Sequence, residues 1–304
     1  MGLRSAGLPE LRVVGYSRSR LTRNAAKQKG AADETAGSLE TCVEGAGMVI
    51  LATPVMAMEA ILQEIAPALA DGCVVTDAAS TKSSVMQWAS RSLPSTVSFV
   101  GGHPMAGKEV AGIGAAESGL FRGCTYCICP ATGASPTAVE AVAGLVNLLG
   151  ARPYFVDPIE HDSFVAGISH LPMLLATALV SATTSSPAWR EMSRLASTGY
   201  RDTTRVASSD PVMSRDIYLT NRESISLWVD ALIKELETLR EEISSGGAGL
   251  EEKLRNIKEA RDRWQQGLAS SEPAAPLETP PGGWGHFLLG NLPSQLSRTG
   301  RKNG

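Results

Sequence analysis

An excess of positive charge is the first thing this chain lacks. Its 28 Lys and Arg stand against 31 Asp and Glu, a formal net charge of -3, with an isoelectric point near 5.9. No cation surplus is there to neutralise a phosphate backbone, so no nucleic-acid partner is expected. No apolar run in the sequence approaches ~20 residues, and no charged-then-apolar leader opens it, so neither a membrane span nor a secretion signal is expected. Cysteines number five, an odd count that fits a reducing, cytoplasmic setting better than a disulfide framework. Three of them fall in GCTYCICP (123–130), where CxxC overlaps CxC without a fourth clustered ligand. That is not a zinc pattern, so no metal is expected, and the alternation there reads as a strand of small apolar residues. A further absence matters more. No G-x-G-x-x-G turn occurs before the first strand signal.

What is there is a globular composition, 304 residues with 43% hydrophobic and 19% charged, enough chain for two cores. Strand patterns at 11–16 (LRVVGY), 47–53 (GMVILAT), 74–77, 97–100, 123–129 and 151–156 alternate with helical patterns at 21–30, 56–69 and 135–150. That order predicts an α/β, Rossmann-like doubly wound parallel sheet. Ligands of such sheets sit outside the carboxyl ends of the strands, so Ser17, Arg18, Thr53, Pro54, Asp77, Ser80 and His103 are expected to share one cleft. Without the glycine-rich turn, the strand ending at Ser17 takes the place of a second strand, and the first strand is missing. An acidic residue at that end would hydrogen-bond a ribose 2′-hydroxyl. Ser17 with Arg18, and Arg20 nearby, favour a 2′-phosphate instead, pointing to NADP over NAD; solvated surface arginines are the plainer alternative.

The chain is organised around SFVGGHPMAGKEVAG (98–112). Gly101 and Gly102 let the backbone turn tightly, and Pro104 drives His103 toward an extended conformation, where an imidazole can exchange a proton near neutral pH. After Asp157-Pro158 the pattern changes to long helices, which divides the chain into a nucleotide-binding domain (1–156), a helical substrate and dimerisation domain (157–266) and a tail (267–304). His170 lies mid-helix with Pro172 supplying a kink. Arg205 is a natural bidentate partner for a carboxylate, with Asp202 as its orienter. Ile225, Val229, Leu232, Leu236, Leu239 and Ile243 form a seam for a hairpin or a dimer, followed by a returning helix. From 268 the Pro/Gly/Ser-rich sequence reads as disordered, and His286 within it as non-catalytic.

Taken together, ATPV (52–55), TDAASTK (76–82), GGHPMAG (101–107), SHLP (169–172) and YRDTTRVASSDP (200–211) resemble, in order and spacing, the prephenate/arogenate dehydrogenase family of tyrosine biosynthesis. The resemblance covers residues 1–266. It implies an NAD(P)-dependent oxidative decarboxylation of prephenate or arogenate by a homodimer. It implies further that His103 accepts the proton of the substrate 4-hydroxyl and that Ser80 hydrogen-bonds beside it. His170 and Arg205 then bind substrate, with Asp202 and Glu109 in support, and Ser214 stands where family members carry a tryptophan. Ser17, Arg18, Arg20, Thr53, Pro54 and Asp77 are expected to bind the cofactor. A non-catalytic homologue that keeps dimerisation and carboxylate binding is the alternative.

Overall fold

The structure, a computed structural model, describes residues 1–270 except 9, 109 and 111, with the backbone only at 268–270. The expectations at Glu109 and His286, and for the tail from 271, lie outside the described residues. The amino-terminal half runs α1 (Gly2–Ser5), β1 (Val14–Gly15), α2 (Arg20–Gln28), β2 (Glu34–Thr35), α3 (Leu39–Val43), β3 (Met48–Leu51), α4 (Met58–Ile65), β4 (Val74–Asp77), α5 (Ser83–Ser92), β5 (Ser98–Pro104), β6 (Thr125–Pro130), α6 (Pro136–Leu148) and β7 (Arg152–Phe155). Ser19, Ser38 and Ser135 accept the free N–H groups that open α2, α3 and α6, Ser38 through a reciprocal capping box with Thr41.

The doubly wound plan holds, with two departures from the expected single parallel sheet. The strands form a two-stranded sheet, β1-β2, and a five-stranded sheet, β3-β4-β5-β6-β7, and the β5–β6 pairing is antiparallel. Among the described residues β1 pairs only with β2 and β3 only with β4, so each keeps an unpaired edge. The larger sheet is covered on both faces. Met58, Leu62 and Ile65 of α4 pack with Val75 on one side, and Val142 and Val146 of α6 pack with Val100 and Ile128 on the other. Each such side chain contributes about 1.5–3 kcal/mol by leaving water.

β5 runs past its expected end at residue 100 because β6 turns back antiparallel and pairs His103 with Cys127 and Pro104 with Tyr126. His103 is therefore held in a strand rather than in the loop after one. Gly102 makes this possible: a Cβ there would stand 2.4 Å from the Asp77 carbonyl oxygen and 2.9 Å from the Tyr126 ring, nearer than any side chain tolerates.

The carboxyl-terminal half is helical: α7 (Pro158–Val165), a π turn (Ala166–His170), α8 (Leu171–Thr184), α9 (Trp189–Leu195), α10 (Thr198–Thr204), a 3₁₀ turn (Arg205–Ser208), α11 (Pro211–Thr220), α12 (Arg222–Ser244) and α13 (Leu250–Ser270). The sequence reading found no run long enough to span a membrane. Pro158–Thr184 forms 27 continuous helical residues containing an 18-residue window of mean hydropathy 1.7, which meets the length and composition of a span without deciding between a span and a core helix. The run is easily overlooked because His161, Asp162 and His170 interrupt it, and all three are buried in the fold.

Two carboxylates of the helical half bind the sheet half through its free backbone N–H groups. Asp162 accepts from Lys82 N (2.7 Å) and Ser83 N (2.8 Å) at the start of α5, and Asp216 accepts from Met56 N (3.4 Å) in the turn before α4. No side chain of its own caps α5; a carboxylate from the other half takes that place, where the helix dipole favours negative charge.

Candidate active site

The site begins with a buried ion pair. Lys82 and Asp77 have no exposed side-chain surface, and the Lys82 ammonium donates to Asp77 Oδ2 and to the Gly102 carbonyl oxygen at 2.6 Å. Asp77 also accepts from Ala79 N at 2.9 Å and Gly102 N at 3.0 Å. The pair thereby holds the backbone on both sides of Gly102, one residue before His103. The sequence reading placed Asp77 among the cofactor-binding residues. Its carboxylate is enclosed and engaged by Lys82, Ala79 N and Gly102 N, which anchors β5.

His103 stands next on β5, 7% exposed. Its Nδ1 lies 2.9 Å from His161 Nε2, and His161 Nδ1 lies 2.8 Å from Asp162 Oδ1. The two rings meet edge-on, with centroids 5.1 Å apart. Burial first, then the neighbouring basic groups His161, Lys82 and His170, pull the His103 pKa well below the usual imidazole range. Burial opposes ionisation of Asp162, but bonds from His161, Ser83 and the Lys82 backbone outweigh it and hold its carboxyl below the usual carboxylate range. An ionised Asp162 thus stands behind the His103 imidazole, with His161 between them.

His170 enters from the helical half, buried to 1% exposure. Nine residues separate it from His161, which in a regular helix puts the two about 180° apart. The π turn at Ala166–His170 inserts one residue and reduces that offset to roughly 80°, so one helix brings both histidines to the same side. Pro172, which lacks an N–H, follows directly in α8 and replaces the simple kink of the sequence reading with this local widening. Gly167 leaves room for the Trp228 ring, which a Cβ would meet at 2.7 Å. Asn221 Nδ2 then joins the two histidine branches, donating to the Asp162 carbonyl oxygen at 2.7 Å and lying 3.2 Å from His170 Nδ1. Burial pushes His170 down to about 4, against the pull of Asp162, and its Nε2 is buried without a hydrogen-bond partner.

The remaining expected residues spread around this centre. Ser80, half-buried after β4, has its backbone against His170. Thr53 follows β3 with a buried, unpartnered Oγ1, and Pro54 beside it is exposed. Arg18 is exposed between β1 and α2, Arg20 is exposed at the first position of α2, and the Ser17 carbonyl oxygen accepts from the Arg23 guanidinium. Asp202 accepts from Arg201 Nε at 3.0 Å on the exposed face of α10. Arg205 opens the 3₁₀ turn that packs on α8. Lys82, His161, Asp162 and Asn221 were not singled out by the sequence; their spacing within the chain carries no signal, because the partners of each lie on other elements.

The arrangement offers one buried imidazole backed by an acid, and a second imidazole with an unsatisfied nitrogen. Together they suit removal of a proton from a bound hydroxyl while a second polar group of the same ligand is held.

The family model for the prephenate dehydrogenase nucleotide-binding domain matches residues 2–155, and that for the prephenate dehydrogenase dimerization domain matches 157–268. A prephenate dehydrogenase of Bacillus subtilis (strain 168) is 37% identical over 264 residues, 86% of this chain and 70% of that protein. The structure of prephenate dehydrogenase from A. aeolicus in complex with hydroxyphenyl propionate and NAD+ is similar at a TM-score of 0.79 and 28% identity, covering 86% of this chain and 92% of that one. Synechocystis arogenate dehydrogenase is similar at a TM-score of 0.73 and 28% identity, covering 86% and 94%.

Proposed function

This chain belongs to the prephenate dehydrogenase family, and from that premise we propose that it catalyses oxidative decarboxylation of prephenate or arogenate with a nicotinamide dinucleotide, NADP in preference to NAD. The observation that carries the reading is the buried chain Asp162–His161–His103 with the unpaired Nε2 of His170 beside it.

The residues present fit the nucleotide at two places. The buried, unpartnered Thr53 Oγ1 at the end of β3 suits the nicotinamide amide, and Ser17, Arg18 and Arg20 at the end of β1 suit a 2′-phosphate. The first ten residues supply no glycine-rich turn for the pyrophosphate. When bound, the nicotinamide takes the hydride. The chain does the rest. His103 takes the 4-hydroxyl proton, Ser80 helps to hold that hydroxyl, and Arg205 with His170 fixes the substrate's polar groups. As hydride leaves the carbon bearing the hydroxyl, that O–H becomes strongly acidic, so a weak base suffices and placement matters more than basicity. Departure of CO₂ and aromatisation of the ring make the step irreversible.

The protein acts as a homodimer through its helical half. Ile168, Leu195, Leu227, Ile243 and Trp264 are large apolar side chains more than half exposed on that half in the single chain, more apolar surface than an isolated domain shows to water.

Initial rates of nicotinamide reduction across pH test the reading. His103 must be neutral to act and its pKa lies well below the imidazole range, so activity rises with pH through the folded-state pKa and is flat above it. The expected acid limb of kcat/KM falls below about pH 6.5, the free imidazole value, with NADP+ the better cofactor. An acid limb well above that value contradicts the role of His103. Failure to bind either nucleotide favours the non-catalytic alternative.

A further inference from the structure

Hydrogen-bond polarity can be followed atom by atom through the buried network, starting from groups with no choice. The ionised Asp162 carboxylate only accepts, so His161 Nδ1, 2.8 Å away, carries a hydrogen. Where that is the ring's single hydrogen, Nε2 is bare and can only accept, so His103 Nδ1 at 2.9 Å carries the hydrogen of that bond. This leaves the His103 Nε2 lone pair free, with no hydrogen bond to it among the described residues.

The second branch runs the other way. A backbone carbonyl only accepts, so the Asn221 group 2.7 Å from the Asp162 carbonyl oxygen is its NH₂. The second hydrogen of that NH₂ points to His170 Nδ1 at 3.2 Å, which must then be the bare nitrogen. The His170 hydrogen therefore sits on Nε2, the atom that is buried and unpartnered.

The structure assigns the two histidines opposite tautomers, both dictated by Asp162: His103 offers Nε2 as an acceptor and His170 offers Nε2–H as a donor. His161 and Asp162 act on the reaction through His103, and Asn221 acts through His170; all three are positioning residues. The assignment itself is independent of the substrate. Its consequence rests on the reading above: the group facing His103 is a hydroxyl giving up its proton, and the group facing His170 is an acceptor, a carboxylate or carbonyl oxygen. A ligand with these two groups exchanged would meet a lone pair with a lone pair and a hydrogen with a hydrogen. The site thus selects the direction in which the substrate lies. When the hydroxyl O–H breaks, its proton forms the new N–H at His103 Nε2 and the resulting imidazolium keeps its Nδ1–H bond to His161; as CO₂ leaves and the ring becomes aromatic, the imidazolium returns that proton to the phenolic oxygen, so hydride and CO₂ are the only net losses and His103 is neutral again.

The chain has four histidines, few enough to resolve individually. Long-range proton–nitrogen correlation spectra of the full chain with ¹⁵N-labelled histidine, near pH 7.5 and without substrate or nucleotide, read each ring directly. His286→Gln removes the fourth signal. The expected result is an Nδ1–H ring for His103 and for His161 and an Nε2–H ring for His170. An Nε2–H ring at His103, or an averaged mixture there, overturns the proposal.

His161→Phe keeps a ring in place and removes the acceptor. It is expected to release His103 into a mixture of tautomers and to lower kcat by up to about 10²-fold while KM changes less than about threefold; an unchanged His103 tautomer in that variant also overturns the proposal. Should the variant fail to fold, the wild-type spectra alone decide. They are read without turnover, so a failed tautomer assignment and a failed activity are separate results.

Discussion

His103→Asn is expected to lose turnover by about 10²- to 10⁴-fold, the contribution of a positioned proton acceptor, while binding substrate and nucleotide and melting close to the parent. Asparagine is chosen on geometric grounds. Its carboxamide nitrogen reaches near the place of Nδ1 and still donates to His161 Nε2, which the parent holds at 2.9 Å. Nothing occupies the place of Nε2. The buried network therefore keeps its partner, and only the proton acceptor is lost. Steady-state kinetics with a thermal melt separate the two effects. Turnover within a fewfold of the parent would remove His103 from the chemistry.

Lys82→Met is expected to cost about 3–5 kcal/mol, the penalty of leaving a buried charge without its partner. Lys82 and Asp77 are both wholly enclosed, so water cannot replace the ammonium. Asp77 keeps two backbone N–H donors, from Ala79 and Gly102, but no positive charge. The Gly102 carbonyl oxygen loses its 2.6 Å bond. Because that residue adjoins His103, activity is expected to fall along with stability. Lys82→Met combined with Asp77→Asn removes the stranded charge and is expected to recover part of the loss. Urea unfolding at matched protein concentration measures the parent and both variants, since stability of a dimer depends on concentration. A double variant as unstable as Lys82→Met alone would show that the cost comes from packing rather than from charge.

Much of this was legible in the sequence, for physical reasons. Val74–Asp77 was visible because three successive β-branched residues, Val74, Val75 and Thr76, favour an extended backbone. The start of α6 was visible because Ser135 and Pro136 announce it. His103 and His170 were found because proline and glycine beside them constrain the backbone, and because the motifs carrying them resemble a family. β5 was expected too short, since the partner that extends it to Pro104 is an antiparallel strand more than twenty residues on. The π turn was expected as a plain kink: Pro172 signals a break in the helix but not how the neighbouring turn relaxes. His161, Asp162, Lys82 and Asn221 escaped because a satisfied buried polar group is defined by its partner. Lys82 N meets Asp162 across 80 positions of sequence, and Asn221 meets His170 across 51. A buried charged residue in an apolar setting was the one available hint, and it becomes readable only when burial is known.

If this network removes a hydroxyl proton in a reaction that loses hydride and CO₂ together, the two losses are equal in number. The most direct test supplies the full chain with prephenate or arogenate labelled in the ring carboxylate and counts released CO₂ against nicotinamide reduced, in wild type and in His103→Asn. One CO₂ per hydride transferred is expected from the wild type, with both falling together in the variant. Nicotinamide reduction without matching CO₂, or neither product from either substrate, would contradict it.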